Sequence, residues 1–262
     1  MPLNIAIVGG GIGGLAAAIG LARNGHKVTI CERSTSSSEV GYAFRIAANS
    51  DQCLKYLGID CQAGGAVSSN SIRMLNIEGQ IVGQFDENQD TKRGMSVFAF
   101  RPQLYRQLMH KALESGVDVK FGVKVKSVDV QRTLFVLENE QTMSADLIIA
   151  ADGVHSAVRP FVIDSHQFSP SATTGHNALR FMLSKSVVQN DPIMSSLVDE
   201  NSRMFTWAGN DKRILVYPVD FDRQYNLTCT HPEGLSDKET LNDDIASKIG
   251  KWTAQQFFLS NI

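Results

Sequence analysis

The stretch Ile5-Ala6-Ile7-Val8-Gly9-Gly10-Gly11-Ile12-Gly13-Gly14-Leu15-Ala16-Ala17-Ala18 decides the fold of the first part of the chain. Four apolar, partly β-branched residues have the composition of a buried strand, and the glycines that follow end it. Leu15 to Asn24 is rich in Ala and Leu with Gly25 just beyond, which predicts a helix and its stop. Val28-Thr29-Ile30-Cys31 repeats the strand composition, so the segment predicts a βαβ unit with a parallel strand pair. Gly9, Gly11 and Gly14 form G-x-G-x-x-G at the strand–helix junction, and Glu32 ends the second strand. Gly9 allows the tight turn, Gly11 lets the backbone approach a pyrophosphate, and Gly14 lets helix and strand pack closely. The helix N-terminus offers unpaired N–H groups and a favourable dipole to the phosphates. Glu32 is placed to accept both ribose hydroxyls and would repel a 2′-phosphate. The pattern reads as a dinucleotide site and leaves NAD and FAD both open.

Outward from this unit, Ser34 to Ser38 is a polar loop, and Asn49 or Ser50 is a candidate cap for a helix through about Leu57, closed by Gly58. Ile72 to Phe85 alternates around Glu78-Gly79 as a hairpin. Pro102 suits the first turn of a helix with Leu104, Leu108, Ala112 and Leu113 on one face, stopped by Gly116. Val117–Phe121, Lys124–Val130 and Thr133–Leu137 read as a small antiparallel meander, and Leu147–Ala151 as an apolar strand ending in Asp152-Gly153. Beyond His166, strands at Leu179–Leu183, Met204–Ala208, Ile214–Val219 and Tyr225–Thr230 indicate a second, sheet-rich domain. The expected class is α/β. A Rossmann-like domain with a parallel sheet and meander takes residues 1–70 and 98–166, and a mostly antiparallel substrate domain takes 71–97 and 167–262.

Composition excludes several function classes. At 43% hydrophobic and 20% charged, 262 residues can bury a real core, which rules out disorder and coiled coil. A formal net charge of -2 provides no field to draw in nucleic acid or an anionic membrane. Cys31, Cys53, Cys61 and Cys229 show no C-x-x-C spacing and no clustering with histidines, so they read as reduced thiols, with no metal site expected. The N-terminus lacks a basic region ahead of an apolar run, and no apolar stretch approaches the roughly 18 to 20 residues of a membrane span. The expected location is the cytosol.

Three further segments carry a resemblance. Ile149-Ala150-Ala151-Asp152-Gly153-Val154-His155-Ser156-Ala157-Val158-Arg159 follows the apolar strand, Arg101-Pro102-Gln103-Leu104-Tyr105-Arg106-Gln107-Leu108 opens a helix, and Cys31-Glu32-Arg33 closes the βαβ unit. With the opening glycines they resemble the FAD-dependent aromatic hydroxylases, single-component flavoprotein monooxygenases that include salicylate hydroxylase-like fungal enzymes. The resemblance implies FAD held by Gly9, Gly11, Gly14, Glu32 and Arg33, with Asp152, Gly153 and Arg159 as the second fingerprint that also supports the passing nicotinamide. It places Arg101 against the FAD and, through Glu39-Val40-Gly41-Tyr42-Ala43-Phe44-Arg45, sets Arg45 beside the flavin ring. Arg180 and Tyr217 are similar to an arginine and tyrosine that fungal members place over the flavin to hold a phenol. A cation there favours the phenolate. Trp207, Phe181 and Met204 read as core or pocket wall.

The implied reaction is NAD(P)H reduction of FAD, formation of a C4a-hydroperoxide with molecular oxygen, and hydroxylation of an aromatic or phenolic small molecule. The family's third fingerprint, Gly-Asp followed by Ala-x-His-Pro, is absent, since the one His-Pro, His231-Pro232, belongs to the end of a second-domain strand. The chain therefore reads as C-terminally truncated, with flavin-domain surface exposed and FAD binding weakened. The alternative is a non-catalytic remnant that binds flavin or adenine nucleotide.

Overall fold

A computed structural model describes residues 1–36, 41–87, 94–163, 174–191, 195, 203–209 and 211–233. In chain order the elements are β1 (Asn4–Val8), α1 (Ile12–Arg23), β2 (Lys27–Glu32), β3 (Ala43–Ile46), α2 (Ala48–Tyr56), β4 (Val67–Ser68), β5 (Ser71–Leu75), β6 (Ile81–Asp86), β7 (Val97–Phe100) and α3 (Arg101–Glu114). There follow β8 (Asp118–Phe121), β9 (Val125–Asp129), β10 (Leu134–Leu137), β11 (Thr142–Ser144), β12 (Leu147–Ala150), α4 (Arg159–Val162), β13 (His176–Ser184), α5 (Lys185–Asn190), β14 (Arg203–Gly209), β15 (Lys212–Val219) and β16 (Gln224–Pro232). Packing divides the chain into one unit of Met1–Val40, Leu54–Asp60 and Pro102–Ala172 and a second of Gly41–Cys53, Cys61–Arg101 and Thr173–Ile262. Residues 41–53 and 61–70 thus pack with the second unit, where the sequence boundary grouped them with the first.

The first unit holds a parallel sheet in the order β12-β1-β2-β8. Ile5, Ile7, Val28 and Ile30 are buried to within a few per cent because a parallel strand in the middle of a sheet has both faces covered. On α1, Leu15, Ala18 and Ile19 are wholly buried at the helical spacing. The meander β11-β10-β9 contributes Val125, Val128, Phe135 and Leu137 to a core shared with Ala6, Val8 and Cys31. Burial also pushes the Cys31 thiol pKa up, as expected for an inert core cysteine.

Two sequence expectations change here. Residues 118–121 form a strand, but it pairs in parallel with β2, and the meander's third strand is β11. The half-exposed alternation of an edge strand looks the same in either sheet, and β8 takes the open edge beside β2 in place of the meander. On α3 the buried stripe is Leu104, Tyr105, Leu108, Met109 and Ala112, while Leu113 is 55% exposed because it lies off the centre of that stripe in the last turn. In addition α2 begins at Ala48, so Asn49 and Ser50 lie inside its first turn and do not cap it.

The second unit holds a six-stranded sheet in the order β13-β16-β15-β14-β5-β6, antiparallel except for β14 with β5. The predicted hairpin is β5–β6, turned at Gly79 with φ +80°. One face of the sheet is packed by Leu75, Val188 of α5, Phe205, Trp207, Ile214, Val216, Tyr225 and Cys229. The opposite face carries Tyr217 and Val219, which pack with Phe98 and Ala43 of the small sheet β3-β7-β4. Burying a ring such as Phe98, at 0% exposure, contributes about 2–3 kcal/mol. Neither α5 nor the small sheet is visible in the sequence pattern, because strands of two to four residues give no measurable period.

Candidate cofactor and substrate sites

The glycine turn of the first unit has the geometry its sequence requires. Gly9 adopts φ +105°, and a Cβ there would sit 2.5 Å from the Ala151 carbonyl oxygen and 2.9 Å from the Asp152 Cα. A Cβ on Gly14 would overlap the Gly9 carbonyl oxygen, so this glycine is what lets α1 start against the end of β1. Gly11 differs: its Cβ position meets nothing within 4 Å. It is the N-cap of α1 and makes no side-chain cap, leaving the helix's first N–H groups to whatever fills that space. This open cradle under an uncapped helix N-terminus fits a pyrophosphate.

Glu32 is oriented by the backbone on either side of it. Its Oε2 accepts from the Gly10 N–H at 2.6 Å and its Oε1 from the Ser34 N–H at 2.8 Å. Each oxygen keeps a lone pair for a ribose hydroxyl. Partial burial pushes the Glu32 pKa up, but the Ser34 and Gly10 N–H donors, the Ser34 hydroxyl and the Arg33 charge together outweigh it, and the net pKa is lowered from 4.5. A carboxyl lowered in the folded state contributes stability above its unfolded pKa and loses that contribution as pH falls through the folded value. The stability gap between the wild type and Glu32→Gln is therefore expected to be full above pH 4.5 and to close below it, which acid titration of urea midpoints measures. Arg33, next in sequence, is exposed.

The Asp152-Gly153 segment leaves β12 beside β1, the strand that ends at Gly9. Asp152 turns its carboxylate into its own loop: Oδ1 accepts from Ser156 Oγ at 2.6 Å, and Oδ2 accepts from the N–H of Ala157 at 2.7 Å and of Val158 at 3.2 Å. Ser156 Oγ then accepts from the Arg159 N–H at 2.9 Å, and the Arg159 guanidinium donates to the Gly153 carbonyl at 2.9 Å. Gly153, Asp152 and Arg159 are thus brought together as a self-bonded loop against the Gly9 turn.

In the second unit, Arg45 of β3 pairs with Glu87 through Nε and Nη2 and donates to Ser96 Oγ at 3.0 Å. Ser69 also donates to Glu87. Glu87, which carried no sequence signal, is the partner that fixes Arg45. Of the segment linking the sequence to Arg45, Glu39 and Val40 lie outside the described residues. Arg101 begins α3; its N–H donates to the Tyr42 carbonyl at 3.1 Å, and its side chain lies 3.2 Å from where a Cβ on Gly41 would be. Gly41 is the glycine that makes room for it.

Tyr217 stacks on Phe98 with ring centroids 4.6 Å apart and packs near Met182, Met204 and Leu215. Burial pushes the Tyr217 hydroxyl pKa up to about 12, opposed by the Arg180 guanidinium, which is near enough to pull it down in part. Arg180 of β13 and Tyr217 of β15 thus share one face of the sheet on either side of β16, with a neutral phenol at neutral pH. Absorbance titration at the phenolate band is expected to show one tyrosine ionising near pH 12, and Arg180→Gln to move that step higher. Because the folded value is raised above 10.0, any contribution of Tyr217 to stability is complete below that pH and is lost as pH rises toward 12. Trp207 is buried in the opposite core, as expected.

Comparison with known proteins gives this geometry a family. The profile of the FAD binding domain matches residues 3–258. The chain belongs to that family. This FAD-binding chain is 28% identical over 247 residues to the FAD-dependent monooxygenase atnJ of an Arthrinium species, covering 92% of this chain and 56% of the relative. It is 28% identical over 233 residues to 3-hydroxybenzoate 6-hydroxylase of Klebsiella oxytoca, covering 86% and 56%. The chain thus spans about half the length of the curated relatives it matches. Among solved structures, the tetrameric form of 2-methyl-3-hydroxypyridine-5-carboxylic acid oxygenase superposes with a TM-score of 0.78 at 21% identity, over 95% of this chain and 64% of that one, which supports the fold. The FAD-binding family fits the open space at Gly11 and the backbone-oriented carboxylate of Glu32. No helix among the described residues is long and apolar enough to cross a membrane.

Proposed function

We propose that this chain carries the FAD-binding and substrate-facing parts of an NAD(P)H-consuming monooxygenase that hydroxylates an aromatic or phenolic small molecule. The observation that carries the reading is the open space at Gly11 beneath the uncapped N-terminus of α1, with the Glu32 carboxylate oriented by the adjacent Gly10 N–H, in a chain whose residues 3–258 match the FAD binding domain. The names of the relatives, hydroxylases of hydroxybenzoates among them, support the substrate class. They give no support to a non-catalytic remnant.

Bound FAD supplies the passage of electrons from NAD(P)H to molecular oxygen and the transfer of one oxygen atom to the ring. The chain's residues do the rest. The α1 N-terminus and the Gly11 backbone hold the pyrophosphate, and Glu32 accepts the ribose hydroxyls. The Asp152–Arg159 loop keeps the Gly9 turn in place, and the family resemblance assigns Arg101 to the cofactor's phosphate or ribityl oxygens and Arg45 to the flavin ring. On the sheet of the second unit, Arg180 favours the ionised form of a phenol beside it, which makes the ring electron-rich. Tyr217, held protonated by burial, orients that ring and does not compete with it for the cation's charge.

The test is a flavin-fluorescence titration of the purified chain with FAD, followed by NADH and NADPH oxidation in the presence of a panel of phenols. Saturable one-to-one FAD binding with phenol-stimulated oxidation and a hydroxylated product is the expected result. Absence of FAD binding in a folded chain would overturn the reading.

A further inference from the structure

The face of the six-stranded sheet that carries Arg180 and Tyr217 also carries a buried amide without a full set of partners. Asn226 of β16 pairs in register with Met182 on β13 and with Tyr217 on β15, and Thr228 pairs with Arg180 on β13 and with Leu215 on β15. Directly opposed residues in antiparallel strands share a face. Asn226 and Thr228 therefore form one row between the arginine and the tyrosine. Asn226 is 0% exposed, and its Nδ2 donates to Thr228 Oγ1 at 3.0 Å. Its Oδ1 is buried with no hydrogen-bond partner.

A carboxamide is a poor filler for this position. Its neighbours on the same face include Met182, Met204, Leu215 and Val219, and any of those residue types would bury apolar area there without stranding an acceptor. Because Thr228 Oγ1 already accepts from Asn226, its own hydrogen is directed elsewhere. The row thus offers one acceptor, Asn226 Oδ1, and one donor, the Thr228 hydroxyl, beside the Arg180 cation. The cross-strand neighbour of Asn226 on β13 is Met182, a half-buried and flexible thioether that can yield to a ring.

We propose that Asn226 is a specificity residue of this face: its Oδ1 accepts a hydrogen bond from a second hydroxyl of the aromatic substrate, while the first faces Arg180 and the Thr228 hydroxyl. The inference rests on the phenol-binding reading above and narrows it. The preferred rings carry two free hydroxyls, and an ether at the second position strands the acceptor again.

Isothermal titration of the full chain with catechol against guaiacol, and with resorcinol against its mono-methyl ether, tests this directly. The wild type is expected to bind at least one diol about tenfold or more tighter than the matching ether, since only the diol gives a partner to an acceptor that is already stranded in the free chain. Asn226→Leu is expected to bring that ratio close to unity while the ether's affinity is unchanged. Thr228→Val, which keeps side-chain shape but releases the amide, provides a second variant and is expected to reduce the ratio several-fold. Arg180→Gln is expected to weaken diol and ether alike. If Asn226→Leu and Thr228→Val keep the wild-type ratio while Arg180→Gln weakens both ligands, the specificity role is wrong and the phenol-binding reading stands. If no diol or ether binds, or Arg180→Gln changes neither, both fall.

Discussion

Gly14→Ala is expected to destabilise the first unit by ~3 kcal/mol or more, whereas Gly11→Ala is expected to leave the melting temperature where it is and to remove FAD binding. The two positions belong to one motif but face different things. A Cβ on Gly14 overlaps the Gly9 carbonyl oxygen, and both atoms are backbone of the strand–turn–helix joint, so neither can turn away as a side chain would. Relief requires α1 to slide, which pulls the wholly buried Leu15, Ala18 and Ile19 off the sheet. A Cβ on Gly11 meets nothing within 4 Å. It costs the fold nothing and takes the space that the phosphates need. Thermal melts read the first effect and flavin-fluorescence titration the second, with at least a roughly tenfold loss of FAD affinity expected for Gly11→Ala, equivalent to about 1.4 kcal/mol. A Gly11→Ala protein that binds FAD as the wild type does would show that the pyrophosphate lies elsewhere.

The parallel core was legible because its signal is local. Ile5–Val8, the helix after it and Val28–Cys31 each carry their own period and punctuation, and nothing distant has to be known to pair β1 with β2. The fate of residues 118–121 was not legible, because edge strands of a parallel sheet and of a meander present the same half-wet alternation. Only the pairing with β2, distant in sequence, distinguishes them. The small sheet β3-β7-β4 was hidden for a different reason: its short strands come from three separated segments and acquire a common face only when the chain is folded.

Site residues divide along the same line. Gly14 meets a neighbour close in sequence, the Gly9 carbonyl, and the Ser34 donor to Glu32 is local too, whereas Gly9 is pressed against Ala151 and Asp152 far along the chain and the Gly10 donor comes from the other end of the βαβ unit. Arg45 was visible as a cation, but its partner Glu87 lies 42 residues away and nothing in a linear pattern couples them. Phe98 sat unremarked in an apolar run until its stacking on Tyr217 gave it a place. Asn226 did leave a trace: Tyr225-Asn226-Leu227-Thr228-Cys229-Thr230 alternates, with Asn and two Thr all on one face. That face could have been read as solvated. Its burial, known only from the fold, is what turns an ordinary polar alternation into a binding feature.

Asp152→Ala is expected to cost roughly 2–3 kcal/mol and to weaken FAD binding through the Gly9 turn, without Asp152 touching the cofactor itself. Both carboxylate oxygens are spent on the loop: the Ser156 hydroxyl takes one, and the Ala157 and Val158 N–H groups take the other. Ser156 passes the order on by accepting from the Arg159 N–H at the start of α4. Without the carboxylate, the exposed Ala157 N–H regains water, but Val158 is 2% exposed and its N–H has little access to any. The neighbouring Ala151 carbonyl and Asp152 Cα are the atoms that a Cβ on Gly9 would strike, so relaxation of this loop moves the wall of the cofactor turn. Asp152→Asn, which keeps one acceptor oxygen, is expected to fall between wild type and Ala. Because Ser156→Ala breaks the same network, the double variant should cost clearly less than the two singles combined, a coupling that urea unfolding measures. Strict additivity would mean that Asp152 and Ser156 act independently. A loss of FAD affinity in Asp152→Asn with no loss of stability would instead place the carboxylate on the cofactor, so the two measurements together separate a positioning role from direct contact.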